Sequence, residues 1–382
     1  MSLLEVNDLS IQYEVDDDEV HAVDGVDFSI DRGETYGFVG ESGCGKTTLG
    51  KSLVHLLDSN GFIADGEIWF DGTLPQWEND RGEPRRDVIE NDQYPVREDG
   101  KTDLAQLDNE QIRDVRWRNI ALIPQSAMNA LNPVYKVGDQ IVEAIRRHEP
   151  NTSVEEADTR ARDLLERVGI DPDRADDYAH QFSGGMKQRA VIAMAMACNP
   201  DILIADEPTT ALDVIIQDRI LDELDELQEE FNVSILVISH DISVMAEICD
   251  QLAVMYGGKI MESGPKAEVF QESANPYTLG LKNSFPTVKQ EQSELVSIPG
   301  SPPTLLDPDP GCRFVDRCPF AVDECESSHP PMYDVADAEG GRRVEGDDEK
   351  SHRSACYRVD DLETMRTEAS KEETWQAITQ NH

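Results

Sequence analysis

Basic residues are scarce in this chain: 34 lysines and arginines stand against 78 aspartates and glutamates, for a net charge of −44 over 382 residues. A surface without a basic face cannot hold a polyanion without sequence preference, which argues against a nucleic-acid partner. Apolar runs of about 18 residues, the length that crosses a bilayer, are missing as well. The opening stretch, MSLLEVNDLSIQYEV, lacks the basic start of a secretory signal. These absences predict a cytosolic protein whose membrane association comes through a partner. Cysteine is sparse until residue 312, and then three fall within GCRFVDRCPFAVDEC, with a further one at Cys356. The acid surplus repels itself and destabilises a compact fold at low salt. It reads as a hydration device for a salty cytosol, where salt screens the repulsion. Disorder does not fit most of the chain, because 38% of it is hydrophobic and arranged in periodic segments.

The length suits one large domain or two ordinary ones. LSIQYEV and VDFSI alternate as half-buried strands do, and TYGFV is a compact apolar run bounded by glycine. GEIWFDG, 66–72, reads as another strand, and 74–103 as a polar, proline-bearing surface insertion without period. DQIVEAIRRH and VEEADTRARDLLERVG read as helices, the second ending at Gly169. ILIADEP and VSILVIS read as buried strands. Between them, Ile216, Ile220, Leu224, Leu227 and Phe231 fall on one helical face. LAVMYGGKIMESG reads as a hairpin turning at Gly257-Gly258. Strands alternating with helices predict an α/β core with a parallel sheet. Beyond Gly264 the pattern fades into IPGSPPTLLDPDPG, the start of a separate extension.

Three stretches carry chemistry. GESGCGKT (Gly40, Glu41, Ser42, Gly43, Cys44, Gly45, Lys46, Thr47) fits G-x-x-x-x-G-K-[ST], between a strand and a helix that begins near Thr48. Glycines let the backbone curl so that amide hydrogens face phosphate oxygens. Lys46 is placed to reach the β- and γ-phosphates, and the Thr47 hydroxyl to bind Mg²⁺. ILIADEP brings Asp206 and Glu207 to the end of a strand, one for Mg²⁺ and one to take a proton from the attacking water. In QFSGGMKQR, the stretch Ser183, Gly184, Gly185 and Met186 opens a helical run suited to a second anion contact.

The order of phosphate loop, Gln125, FSGGM, ADEP, ALD and His240 resembles the ATP-binding subunits of ABC transporters over residues 1–262. The resemblance implies a P-loop ATPase domain of mixed sheet plus a helical subdomain at about 126–190. It implies ATP and Mg²⁺ as ligands, Tyr13 on the adenine, Gln125 sensing Mg²⁺ or the attacking water, and His240 on the γ-phosphate. Asp213 is then expected at a dimer interface, and FSGGM over the ATP of a second, head-to-tail ATPase. FSGGM departs from the common LSGGQ. It is similar to one paralogue of a branch in which two different ATPases pair, so a heterodimer is expected.

NPYTLGLKNSFP, IPGSPP, GCRFVDRCPFAVDEC and the SAMNALNPVYKVGDQI stretch after Gln125 resemble the peptide, dipeptide and nickel importer branch. That implies import powered at the cytoplasmic face of the membrane, with two permease subunits and an extracellular solute-binding protein as partners. The residues after Gln125 would meet a short coupling helix of the permease. The rival function is a nontransport ABC ATPase of translation or DNA repair, though such proteins usually carry tandem cassettes or nucleic-acid-binding inserts. Taken with the acid surplus, the resemblance points to a haloarchaeal source. The extension, 263–360, carries Cys312, Cys318, Cys325 and Cys356 at spacings C-x₅-C-x₆-C-x₃₀-C, ahead of an acidic tail at 361–382 that is expected to be helical or flexible. Four thiols in a reducing compartment suit Zn²⁺ or an iron–sulfur cluster rather than disulfides, and spacing does not choose between them or exclude an empty site. The resemblance favours a structural [4Fe–4S] cluster stapling an extension too small for a large core of its own.

Overall fold

The computed structural model describes residues 2–16, 18–72, 95–125, 129–210, 213–284, 297–338, 342–346 and 348–379. Most of the expected insertion, and residues 126–128 after Gln125, lie outside these.

Two long strands, β1 (Ser2–Val15) and β2 (Asp18–Asp31), pair antiparallel along most of their length. With β4 (Gly61–Phe70) and the short β5 (Thr102–Asp103) they form a sheet in the order β2-β1-β4-β5 among the described residues. β3 (Thr35–Val39) belongs to the main sheet, ordered β11-β12-β10-β9-β3-β8-β7-β6. Its other members are β6 (Ile120–Ile123), β7 (Ile202–Asp206), β8 (Ser234–Ser239), β9 (Gln251–Tyr256), β10 (Lys259–Pro265), β11 (Tyr333–Asp334) and β12 (Arg353–Ser354). The pairs from β9 through β3, β8 and β7 to β6 are parallel, and β10 and β12 add antiparallel.

The central strands are apolar throughout because both faces are covered. Along them side chains alternate between two cores. Tyr36, Phe38, Ile202, Ile204, Leu236 and Ile238 join the core under the antiparallel sheet. Val39, Leu203, Ala205, Ile235 and Val237 join the core shared with the helices on the other side. The second core takes in helices Val137–His148, Val154–Arg167 and Gly184–Ala195, the helical subdomain. Helix Val154–Arg167 starts in a reciprocal cap: Glu156 N–H donates to Ser153 Oγ at 3.2 Å, and Ser153 N–H to the Glu156 carboxylate at 3.0 Å. Gly169 follows that helix at φ +69°, and Gly257 and Gly258 turn the β9–β10 hairpin at φ +56° and +82°.

Two boundaries differ from the sequence reading. The surface insertion stops before residue 101: Lys101, Thr102 and Asp103 are buried, and β5 closes the antiparallel sheet. Asp103 also accepts the Ile68 N–H at 3.0 Å, a tie across strands that local polarity does not reveal. The extension is not a separate unit either. β12 pairs with β10, and Phe314, Tyr333, Val359, Met365 and Trp375 lie in the same core as Tyr256 and Leu252. The acidic tail forms helices Leu362–Ala369 and Glu372–Thr379, and buries Met365 and Trp375.

Candidate active site

The phosphate loop joins the end of β3 to helix Lys46–Ser52. Its glycines have distinct reasons. A Cβ at Gly40 would sit 2.0 Å from the Met255 carbonyl oxygen, and one at Gly45, at φ +105°, would sit 2.1 Å from that of Ala22. Gly43, at φ +82°, faces open space, so its need is the left-handed backbone. The Lys46 ammonium is buried and donates to the carbonyls of Gly40 at 2.7 Å and Glu41 at 2.9 Å. Cys44 Sγ lies 3.4 Å from the same nitrogen, and burial pushes that thiol up.

The ends of β7 and β8 bring the acidic pair and the histidine to this loop. The Thr47 hydroxyl donates to Asp206 Oδ1 at 2.9 Å. Burial raises the Asp206 carboxyl above its usual range, opposed by the Thr47 bond and helped by the Glu207 charge. Glu207, just past the end of β7, adopts φ +53°, an uncommon conformation for a non-glycine residue. Its carboxylate accepts from the Thr210 hydroxyl at 2.7 Å and meets His240 Nδ1 at 2.8 Å. His240 is itself exposed. A carboxylate fixed by two partners, beside a threonine–aspartate pair suited to Mg²⁺, can take a proton from a water aimed at a bound phosphate. The donor set fits Mg²⁺: hard oxygens from a hydroxyl and a carboxylate.

The other predicted residues divide into two groups. Tyr13, on β1, places its hydroxyl 3.3 Å from Thr48 Oγ1, and its ring lies over Gly61, where a Cβ would come within 2.6 Å. It therefore borders the loop. Gln125 is exposed just past β6. Ser42 and Gly43 are exposed at the loop's tip. Ser183 caps helix Gly184–Ala195, its Oγ accepting the Met186 N–H at 3.3 Å. Phe182 is buried under the Arg174 guanidinium, 5.1 Å from the ring centroid, while Ser183 and Gly184 stay exposed. Asp213 is exposed and caps helix Val214–Phe231 by accepting the Ile216 N–H at 3.0 Å. Within one chain these two caps bond to their own helices. Sequence reasoning missed Tyr277 and Arg317, which hold Glu41 from the far end of the chain. Only the pairing of distant residues reveals them.

The four extension cysteines do not form the expected metal site. Among the described residues no group of three or more His, Cys, Asp or Glu side chains is arranged to hold a metal ion. The thiols nonetheless act on one another. Burial lifts the Cys318 thiol well above its ordinary value, and the charges of Cys356, Cys312 and Cys325 add to that. Cys312 is pushed up to about 11 and Cys356 to about 12, burial again leading. Backbone N–H groups point at the sulfurs: Arg358 N–H lies 3.3 Å from Cys356 Sγ, Phe314 and Val315 serve Cys312, and Phe320 serves Cys318.

A phosphate loop whose lysine and threonine meet an acidic strand end and a histidine on the neighbouring strand defines a P-loop ATPase. Solved structures agree on the fold. A dimeric bacterial ABC transporter cassette superposes with a TM-score of 0.55 at 24% identity, covering 69% of this chain and 98% of that one. A Clostridium perfringens component of an ABC transporter complex gives a TM-score of 0.52 at 26% identity, covering 71% and 91%. The family described as ABC transporter matches residues 23–210, and the one described as the oligopeptide/dipeptide transporter C-terminal region matches 261–325. The oligopeptide transport ATP-binding protein of Bacillus subtilis is 42% identical over 339 residues, 88% of this chain and 86% of that protein. The dipeptide transport ATP-binding protein of the same organism is 41% identical over 331 residues, 86% and 90%. A putative peptide import ATP-binding protein of Brucella abortus is 42% identical over 352 residues, 90% and 96%. The chain belongs to the ABC transporter ATP-binding subunits, in the branch that carries the oligopeptide/dipeptide C-terminal region, and it is an ATPase.

Proposed function

We propose that this protein hydrolyses ATP to power import of peptides through a membrane permease. The observation that carries the reading is the convergence of Lys46 and Thr47 with Asp206, Glu207 and His240 at three adjacent strand ends. In this reading the loop amides and Lys46 bind the phosphates, Thr47 and Asp206 hold Mg²⁺, and Gln125 senses that ion or the water. Glu207 takes the proton, His240 orients toward the γ-phosphate, and Tyr13 stacks on the adenine. The exposed Ser183–Met186 turn and Asp213 meet the ATP and interface of a second, paralogous ATPase. Ser183, Gly184 and Asp213 are exposed while they cap or open their helices.

The permease partners follow from the branch, which also implies two membrane subunits, an extracellular binding protein and a position on the cytoplasmic face. A groove of about 640 Å³ lined by Trp117, Asn132, Tyr135, Gln140 and Arg147 suits a short coupling helix. Tyr135 in its lining is 55% exposed, and Val134, its neighbour in sequence, is 70% exposed. Among the described residues no helix is long and apolar enough to cross a membrane.

The four thiols are read as the seat of a structural [4Fe–4S] cluster. One tetrahedral zinc would draw its sulfurs to about 3.8 Å from one another, given a Zn–S bond of about 2.3 Å. A cluster spreads its thiolates over four irons and needs them farther apart. The reading rests on the four soft donors Cys312, Cys318, Cys325 and Cys356 and on the backbone N–H groups directed at Cys312, Cys318 and Cys356. When bound it would supply cross-linking rather than chemistry on ATP. The acid surplus is read as adaptation to a salty cytosol, in keeping with a haloarchaeal source.

The test is affinity capture of the tagged chain from membranes in molar KCl, with anaerobic iron, sulfide and zinc analysis. Recovery of permease subunits and a second ATPase, with a binding protein whose peptide load raises ATP turnover, is expected. Recovery of ribosomes or DNA that depends on nucleotide, with no membrane chain, would favour a nontransport ATPase. Zinc without sulfide would overturn the cluster.

A further inference from the structure

We propose that Arg317 and Tyr277 are positioning residues of the phosphate loop, acting through Glu41 to set ATP affinity. Both lie beyond residue 262, outside the span in which the sequence motifs of the ATPase fall. Glu41 is the second residue of the loop, and it is gripped at two points. Its carboxylate forms a two-pronged pair with Arg317, Nη1 to Oε2 at 2.6 Å and Nη2 to Oε1 at 3.0 Å. Its backbone N–H donates to the Tyr277 hydroxyl at 2.9 Å. The carbonyl of the same residue accepts from the Lys46 ammonium at 2.9 Å. The residue that the C-terminal part of the chain holds is thus one of the two whose carbonyls steady the phosphate-seeking lysine.

The grip is rigid because every group in it is anchored. The Arg317 side chain is only 6% exposed. Its Nε donates to the Pro299 carbonyl at 2.7 Å, and Nη1 also reaches the Tyr256 hydroxyl at 3.1 Å. The guanidinium lies over the rings of Tyr256 and Phe314, 5.6 and 5.9 Å from their centroids. Tyr277 packs on the same two rings, 4.6 and 5.2 Å away. A planar bidentate fork held on aromatic faces fixes direction as well as distance, which lysine in its place cannot do. A second contact braces the other side of the nucleotide site: His21 N–H donates to the Leu305 carbonyl at 2.8 Å, and Val20 bridges to Leu306. Val20 is the β2 residue paired with Tyr13. The extension therefore touches the loop that holds phosphate and the hairpin that carries the adenine-facing ring. A phosphate cradle depends on where its amide hydrogens point, and small displacements weaken it.

The inference rests on reading Gly40–Thr47 as the phosphate cradle. It is tested on the full chain with Tyr277→Phe, Arg317→Lys, Glu41→Gln and the Glu41→Gln/Arg317→Lys pair, measuring Mg-ATP affinity by titration, kcat and KM by phosphate release, and Tm. Tyr277→Phe removes one hydroxyl and keeps the ring, so it folds even where Arg317→Lys does not. Each single variant is expected to weaken ATP affinity and raise KM about fivefold or more, the worth of about one lost hydrogen bond, with a smaller change in kcat. The pair should lose no more affinity than its worse member, because both changes break one contact. Unchanged affinity in Tyr277→Phe and Arg317→Lys, whatever happens to Tm, overturns the proposal. Multiplying losses in the pair would overturn it as well. Failure of the unaltered, folded protein to bind Mg-ATP would instead sink the cradle reading.

Discussion

Glu207→Gln is the sharpest test of the chemistry. The substitution swaps one carboxylate oxygen for an amide nitrogen of nearly the same shape. In the structure the carboxylate has two partners, the Thr210 hydroxyl at 2.7 Å and His240 Nδ1 at 2.8 Å. Glutamine keeps an oxygen for the hydroxyl and offers an N–H to an unprotonated imidazole nitrogen, so neither partner is orphaned. The side chain is 8% exposed, and no methylene is lost, so no cavity forms. What disappears is the capacity to take a proton. General base catalysis contributes about 10²- to 10⁴-fold, or about 3–5 kcal/mol at 1.36 kcal/mol per factor of ten. Single-turnover phosphate release should fall by that factor while equilibrium binding of Mg-ATP stays within about twofold. The two measurements separate base chemistry from binding, because Lys46, Thr47 and Asp206 keep their contacts. A variant that turns over ATP at the parent rate would refute the proton-acceptor role. One that loses turnover only by losing ATP affinity would assign Glu207 to binding.

Three other outcomes are expected. Glu223, on helix Val214–Phe231, is pushed up to about 7 by burial, then by the charges of Glu226 and Asp222, against the pull of Arg189. The folded chain therefore holds this proton more tightly than the unfolded one, and its contribution to stability falls as pH rises from about 4.5 to about 7. Glu223→Gln should flatten the stability profile across that window, and an unaltered slope by denaturant titration would remove Glu223 as its source. Trp375→Ala deletes a side chain 1% exposed whose Nε1 donates to the Ala369 carbonyl at 2.9 Å; a loss of about 3–5 kcal/mol in unfolding free energy is expected, and a loss under about 1 kcal/mol would mean that the tail helices lie on the core without supporting it. Raising KCl from 0.1 M to 1 M shortens the screening length from about 10 Å to about 3 Å, so Tm should climb with salt, and a flat Tm would undo the halophilic reading of the charge.

Local pattern and long-range pairing were unequally legible in the sequence. TYGFV, ILIAD and SILVIS fall on strands because buried parallel strands are apolar without interruption, and the three loops at their ends carry the chemistry. Ser183 and Asp213 sit at helix starts because their side chains can accept from the third residue onward. β1 and β2 run longer than alternation suggested, since irregularities near Asp8, at φ +46°, shift the face that points inward and break the period. Thr102 and Asp103 read as loop because polar residues in a two-residue strand leave no periodic trace. The tail was expected to be helical or flexible, and it is helical; its attachment to the core was not legible because it depends on Met365 and Trp375, too few positions to form a pattern.

The extension shows why composition alone misplaces a boundary. Its proline-rich text and clustered thiols suggested a module that needs its own staple. Yet Tyr256 at the end of β9, Tyr277, Phe314 and Trp375 form one continuous aromatic chain, with neighbouring centroids 4.6, 5.2 and 6.5 Å apart. Gly280 leaves the room that Trp375 occupies, for a Cβ there would meet the indole at 2.6 Å. Apolar area buried between two parts of a chain stabilises both, so the ATPase sheet supplies the core that the extension could not build. The thiols then need not hold the extension folded by themselves. Cys318 directly follows Arg317, and Cys312 shares its short turn with Phe314, so a metal or cluster held at the proposed four-thiol site would stiffen the same turn that grips Glu41. If such a group is present, its loss should loosen the hold on the phosphate loop before it unfolds the extension. Metal-depleted protein would show this as weaker ATP binding at unchanged secondary structure, and unfolding of the extension ahead of any loss of affinity would contradict it.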